Sequence, residues 1–109
     1  MDKKYYFFSH FTGEDTELGE QLYASVSTDG LHWHDIYDGK PVLTCKDYTG
    51  GLRDPFMVRN MTGDGFYLLC TDLWIYEGKG WGEAVENGSR KLLIWETKDF
   101  VSYNALAPF

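Results

Sequence analysis

The sequence predicts an all-β fold: a partial β-propeller of about two antiparallel blades, three strands in the first and four in the second. Three observations predict it. Aromatic residues make up 17% of the 109 residues and stand beside 12 glycines, the composition of aromatic-rich strands joined by tight turns. The apolar runs are short, with alternation in place of a helical period. The chain also repeats itself weakly. Tyr5-Tyr6-Phe7-Phe8-Ser9 matches Phe66-Tyr67-Leu68-Leu69-Cys70, and Tyr23 to Trp33 matches Leu93 to Tyr103.

Each element follows from local pattern. Tyr5 to Phe11 is one apolar-aromatic run, and Gln21 to Ser27 places Leu22, Ala24 and Val26 on one face. Asp29-Gly30 makes a turn into a short strand over Leu31 to Ile36. Asp38-Gly39-Lys40-Pro41 is a linker, and Thr49-Gly50-Gly51 is a second break. Then come strands over Asp54 to Asn60 and Phe66 to Thr71, joined at Gly63-Asp64-Gly65. A long Gly-rich excursion covers Tyr76 to Ser89, before strands over Lys91 to Glu96 and Phe100 to Tyr103.

Residues 1–45 thus read as a first, partial blade and 46–109 as a second. A blade has about four strands and a closed propeller about four to eight blades. Repeat units also need neighbours to bury their faces. The sequence is therefore expected to be the opening part of a larger fold, completed by further C-terminal blades or by copies of itself.

Charge narrows the partners. With 17 acidic against 10 basic residues the net charge is −7, which argues against a partner bound through its phosphates, so no nucleic-acid partner is expected. No apolar run approaches the roughly 20 residues of a membrane span, so no membrane partner is expected. Met1-Asp2-Lys3-Lys4 leads into Tyr5 to Phe8, and polar Ser9-His10 follows too soon for a signal-peptide core. Cys45 and Cys70 lack metal-ligand spacing, so free thiols in a reducing cytoplasm are expected. Asn60-Met61-Thr62 and Asn87-Gly88-Ser89 match the glycosylation sequon and are read as chance.

The stretches Phe8-Ser9-His10-Phe11-Thr12-Gly13-Glu14, Ser27-Thr28-Asp29-Gly30-Leu31-His32-Trp33 and Gly39-Lys40-Pro41-Val42-Leu43 resemble the five-bladed propeller glycosidases of glycoside hydrolase family 43. So do Arg53-Asp54-Pro55-Phe56, Phe66-Tyr67-Leu68 and Trp95 to Val101. The similarity covers nearly the whole chain but only the N-terminal part of such an enzyme. It implies hydrolysis of arabinose- and xylose-containing plant glycans by a carboxylate base, a carboxylic acid and an Asp that tunes the acid. In an inverting enzyme the two working carboxyls stand roughly 6.5–9.5 Å apart, leaving room for water. By motif position the resemblance implies that Asp54 carries the base. Pro55 suits that role, since it fixes φ and cannot donate to a ladder. Arg53 would hold the carboxylate ionised or bind sugar hydroxyls. The acid and the tuning Asp are implied to lie on later blades, and the tail from Asn104 to Phe109 has no acidic residue. Hydrolysis by this chain alone is therefore not expected. The alternative is a non-catalytic, self-associating β module that binds an oligo- or polysaccharide.

Other residues carry two readings each. His10 interrupts an aromatic run, as a sugar or channel contact or as a hydrogen-bonded interior histidine. Asp72 ends a strand, either lining the cleft or making its own turn. Trp74, Tyr76 and Trp81 flank the Gly-rich loop, either stacking on sugar rings or anchoring that loop. His32 and His34 share a strand face without a third ligand, and read as an exposed strand end. Glu14, Asp15, Glu17 and Glu20 are expected to form a solvated loop. No cofactor or metal site is expected, although a channel ion such as calcium is left open.

Overall fold

The computed structural model describes residues 4–109; the Met1–Lys3 part of the N-terminal reading lies outside them. Its strands form two antiparallel sheets. The first runs β1 (Tyr6–His10), β2 (Tyr23–Ser27) and β3 (His34–Asp35), in that order. The second runs β4 (Leu52–Arg59), β5 (Phe66–Asp72), β6 (Leu92–Thr97) and β7 (Asn104–Ala105). This is the three-plus-four, all-β arrangement that the sequence predicts. No helix among the described residues is long and apolar enough to cross a membrane.

The internal repeat is written in hydrogen bonds. After β2, the Ser27 hydroxyl accepts from the Gly30 amide at 2.8 Å, and Asp29 Oδ1 accepts from the amides of Leu31 and His32 at 2.8 Å each. After β6, Thr97 accepts from Phe100 at 3.0 Å, and Asp99 from Val101 and Ser102 at 2.9 and 2.7 Å. A carboxylate that satisfies two successive amides reverses the chain without a ladder. Beyond each turn, Ile36 donates to Ala24 and Leu106 to Ile94, both at 2.9 Å.

The registers correct the sequence alignment by one residue. Tyr6 pairs with Ser27 and Phe66 with Thr97, so Tyr6, not Tyr5, is the counterpart of Phe66. A slip of one flips every side chain to the other face, and His10 thereby corresponds to Cys70. The outermost strands are also shorter or shifted. Only His34–Asp35 of the stretch from Leu31 to Ile36 pairs, and Phe100 to Tyr103 is turn, with pairing resumed at Asn104–Ala105. In both units the Asp-capped turn takes up the residues expected to be strand.

The Gly-rich excursion contains an unexpected short helix, α1 (Trp81–Asn87). Ala84, Val85 and Glu86 carry it between Gly80, at φ 90°, and Gly88. It buries no side chain, and its tie to the rest of the fold is Trp81 at its first turn, which meets Arg53 and Glu14.

The core lies where the two units meet. Leu22 is fully buried with Leu52, Leu68 and Cys70, and Leu93 and Trp95 complete the cluster. Leu68 faces Trp95 and Cys70 faces Leu93 across β5 and β6. A second contact, Phe7 stacked on Phe100 at 4.1 Å with Phe66 at 4.6 Å, ties β1 to the turn after β6.

Candidate functional site

The Arg53-Asp54-Pro55 segment breaks the ladder between β4 and β5. Arg53 pairs with Thr71 and Phe56 with Leu69, so Asp54 and Pro55 together oppose one residue, Cys70. This is a β-bulge, a device that re-aims a side chain out of the ladder. Pro55 disfavours the right-handed helical region for the residue before it, and Asp54 takes φ 49°, a conformation Asp tolerates better than most residues. Its carboxylate is exposed between the buried Arg53 and the half-buried Pro55.

Among the described ion pairs, Arg53 takes Glu20 and Glu14, not Asp54, which leaves sugar hydroxyls as the other reading of this arginine. Its Nη1 donates to Glu20 at 2.7 Å and to Glu14 at 3.4 Å. The guanidinium lies over Phe11, 4.5 Å from the ring centre, and over Trp81, 4.9 Å away. Cation–π contact of this kind favours a charge that has left water. The Trp81 indole N–H donates to Glu14 at 3.4 Å. The Glu14 pKa is lowered by a hydrogen bond from its own amide, by the Trp81 indole and by Arg53, against the upward pull of burial.

Glu20 corrects the expectation of a solvated acidic loop. It is fully buried, and its carboxylate accepts the amides of Ile75, at 2.9 and 3.0 Å, and of Tyr76, at 2.9 Å, besides Arg53. Its carbonyl accepts the Leu52 amide at 2.6 Å. Glu20 thus binds the start of β4 to the loop after β5. Sequence reasoning missed Glu14 and Glu20 as members of this cluster. The available signal was Arg53 itself, since an arginine in an apolar stretch of strand needs a counter-charge from elsewhere.

The other predicted residues are distributed around this cluster. Trp81 and Arg53 come together as described. His10 is half-buried at the end of β1, stacked between Phe8 at 4.9 Å and Tyr23 at 5.8 Å, with Nε2 3.4 Å from the Ser25 hydroxyl. Asp72 is buried and clamps Thr49, accepting its amide at 3.1 Å and its hydroxyl at 2.7 Å. Trp74 is half-buried, with Lys46 5.0 Å above its ring and the backbone of Gly50 against it. Its indole nitrogen is buried and without a partner among the described residues. A cleft of about 220 Å³ separates Trp74 from α1. Among the described residues no His, Cys, Asp and Glu cluster could hold a metal ion.

Comparison with known proteins adds the following. A family model described as "Probable glycosyl hydrolase domain" matches residues 2–107. An alpha-L-arabinofuranosidase of Bifidobacterium longum subsp. longum is 42% identical over 66 residues, which are 61% of this chain and 6% of that enzyme. The aligned stretch is therefore a small fraction of its curated relative. No solved structure matches the chain.

Proposed function

This chain belongs to the family 43-related glycosyl hydrolases, and from that premise we propose that it forms one wall of a pentoside-binding site, with Asp54 the general base. The observation that carries this reading is the bulge: it projects the Asp54 carboxylate from β4 while the neighbouring Arg53 is fixed by Glu20. A base must accept a proton from water and so must stand free of the ladder. The relative named as an arabinofuranosidase supports an arabinosyl group as the ligand. Arg53 and Trp81 form the adjoining sugar contact, and further blades would supply the opposite wall.

On this reading the chain alone binds without turnover. A general acid must keep its proton near neutral pH, which requires a raised pKa. Glu14, the half-buried carboxylate beside Arg53 and Trp81, is displaced the other way, downward, by its own amide, the indole and Arg53. Loss of leaving-group protonation costs about 10²–10⁴-fold in rate.

The test is hydrolysis of nitrophenyl α-L-arabinofuranoside and β-D-xyloside, alongside NMR titration with arabino-oligosaccharides. We expect no release of sugar, and weak binding reduced by Asp54→Asn and by Trp81→Ala. Release that vanishes in Asp54→Asn would refute the missing acid. Binding lost in Trp81→Ala but untouched in Asp54→Ala would favour a non-catalytic glycan-binding module, and binding moved by neither would remove both residues from the site.

A further inference from the structure

The geometry points to a choice of ligand: we propose that the site formed by Arg53, Glu14 and Trp81 accepts neutral sugars and rejects uronic acids, with Glu14 setting the preference. This rests on the reading that Arg53 and Trp81 line a sugar site.

An arginine lying over two aromatic rings has the form of a carboxylate receptor. Its side chain is 10% exposed. Nη1 makes both of its ion-pair contacts, while Nε and Nη2 have no protein acceptor among the described residues. Two donor nitrogens thus remain for a ligand.

The charge around Arg53 opposes a carboxylate ligand. Glu20 at 2.7 Å neutralises Arg53, and Glu14 at 3.4 Å adds a second carboxylate, so one cation faces two anions. Among the described ion pairs no lysine offsets Glu14 or Glu20. A sugar hydroxyl accepts from the free guanidinium edge and donates to Glu14. A uronate accepts equally well but brings a third carboxylate beside Glu14, in surroundings less screening than bulk water. Glu14 is held ionised by its own amide, the indole and Arg53, so the repulsion persists at neutral pH.

The experiment is NMR titration of the native chain and Glu14→Gln with methyl β-D-xyloside, β-D-glucoside and β-D-glucuronoside. These three differ only at C5, which bears hydrogen, hydroxymethyl or carboxylate. The glutamine keeps an acceptor for Trp81, and its fold is checked by the amide spectrum. The glucuronoside should bind the native chain about tenfold more weakly than the glucoside. That gap should close to about threefold or less in Glu14→Gln, and should shrink in about 1 M salt. Equal glucoside and glucuronoside affinities in the native chain would overturn the proposal, as would a gap that survives in Glu14→Gln. Rejection of glucoside and glucuronoside alike would mean selection by size and would overturn it too. Binding of none of the three would instead remove the sugar site on which it rests.

Discussion

The carboxylate of Glu20, with no solvent exposure, lies 2.7 Å from Nη1 of Arg53 and at the same time accepts the amides of Ile75 and Tyr76. Removing one partner of a buried pair strands the other charge and costs about 3–5 kcal/mol. Glu20→Ala should lower unfolding stability by that amount in a urea titration. Glu20→Gln should not restore it: with its oxygen toward the Ile75 and Tyr76 amides its NH2 faces the Arg53 donor, and the flipped orientation sets that NH2 against the backbone amides instead. A loss below about 1 kcal/mol in Glu20→Ala would show that the pair is solvated.

Acid should weaken the fold through its capped turns. Asp99 is held below its ordinary value by the amides of Ser102 and Val101, and Asp29 well below by His32 and Leu31. Asp64 is lowered from 3.8 to about 2 by Thr62, Asn60 and Lys98. A depressed folded-state pKa contributes stability above the unfolded value, and that stability is lost as pH falls through the folded one. The urea midpoint should therefore drop as pH falls from 3.8 toward about 2. Asp29→Asn and Asp99→Asn together should flatten that slope. Only Asp64 owes part of its shift to a charge, Lys98 at 3.6 Å, so added salt should reduce that share alone.

Phe100 occupies φ 63° where the first unit has Gly30 at φ 77°. Its ring stacks on Phe7 and meets Phe66, so the second unit keeps a side chain where the backbone favours glycine. Phe100→Ala loses the ring and keeps the strain, whereas Phe100→Gly loses both. The left-handed conformation costs a non-glycine residue roughly 1–2 kcal/mol. Chemical denaturation should accordingly rank native, Phe100→Gly and Phe100→Ala in falling order. Alanine and glycine equal, or alanine the more stable, would mean that the turn relaxes once the ring is gone.

The two cysteines should differ in reactivity. Burial, with smaller contributions from Cys45 and Asp54, pushes the Cys70 thiol up to about 12, and burial also raises half-buried Cys45. Thiolate is the reacting form. Iodoacetamide at mildly alkaline pH should add one group, at Cys45, by peptide mass spectrometry, and a second at Cys70 only in urea. Prompt labelling of Cys70 in the native chain would mean that the core opens readily.

The repeat made much of this architecture legible. Ser27-Thr28-Asp29-Gly30 and Thr97-Lys98-Asp99-Phe100 share a turn whose chemistry lies within a few residues, so local sequence suffices to find it. The strands β2, β4, β5 and β6 were visible for the same reason. Local pattern fails where the partner is distant. Glu20 looks like any loop carboxylate until Arg53, 33 residues on, and the amides of Ile75 and Tyr76 are folded against it. The one-residue error at Tyr5 arose because a run of four aromatic residues carries no alternation to fix its phase. At Arg53-Asp54-Pro55, the motif marked the place, while the bulge and the left-handed Asp54 depend on the pairing with β5.

Strands β1 and β4 are neighbours, and the Ser9 hydroxyl reaches the Pro55 carbonyl at 3.5 Å, yet the two sheets stay separate. Pro55 has no amide hydrogen to offer across the seam, and the bulge bends the strand away from a straight edge. The same dipeptide that exposes Asp54 therefore also keeps two edges from zipping into one continuous seven-stranded ribbon. Replacing the proline would endanger the separateness of the two sheets before it touched any chemistry, because a wedge between strands has been doubled as the mount for a carboxylate.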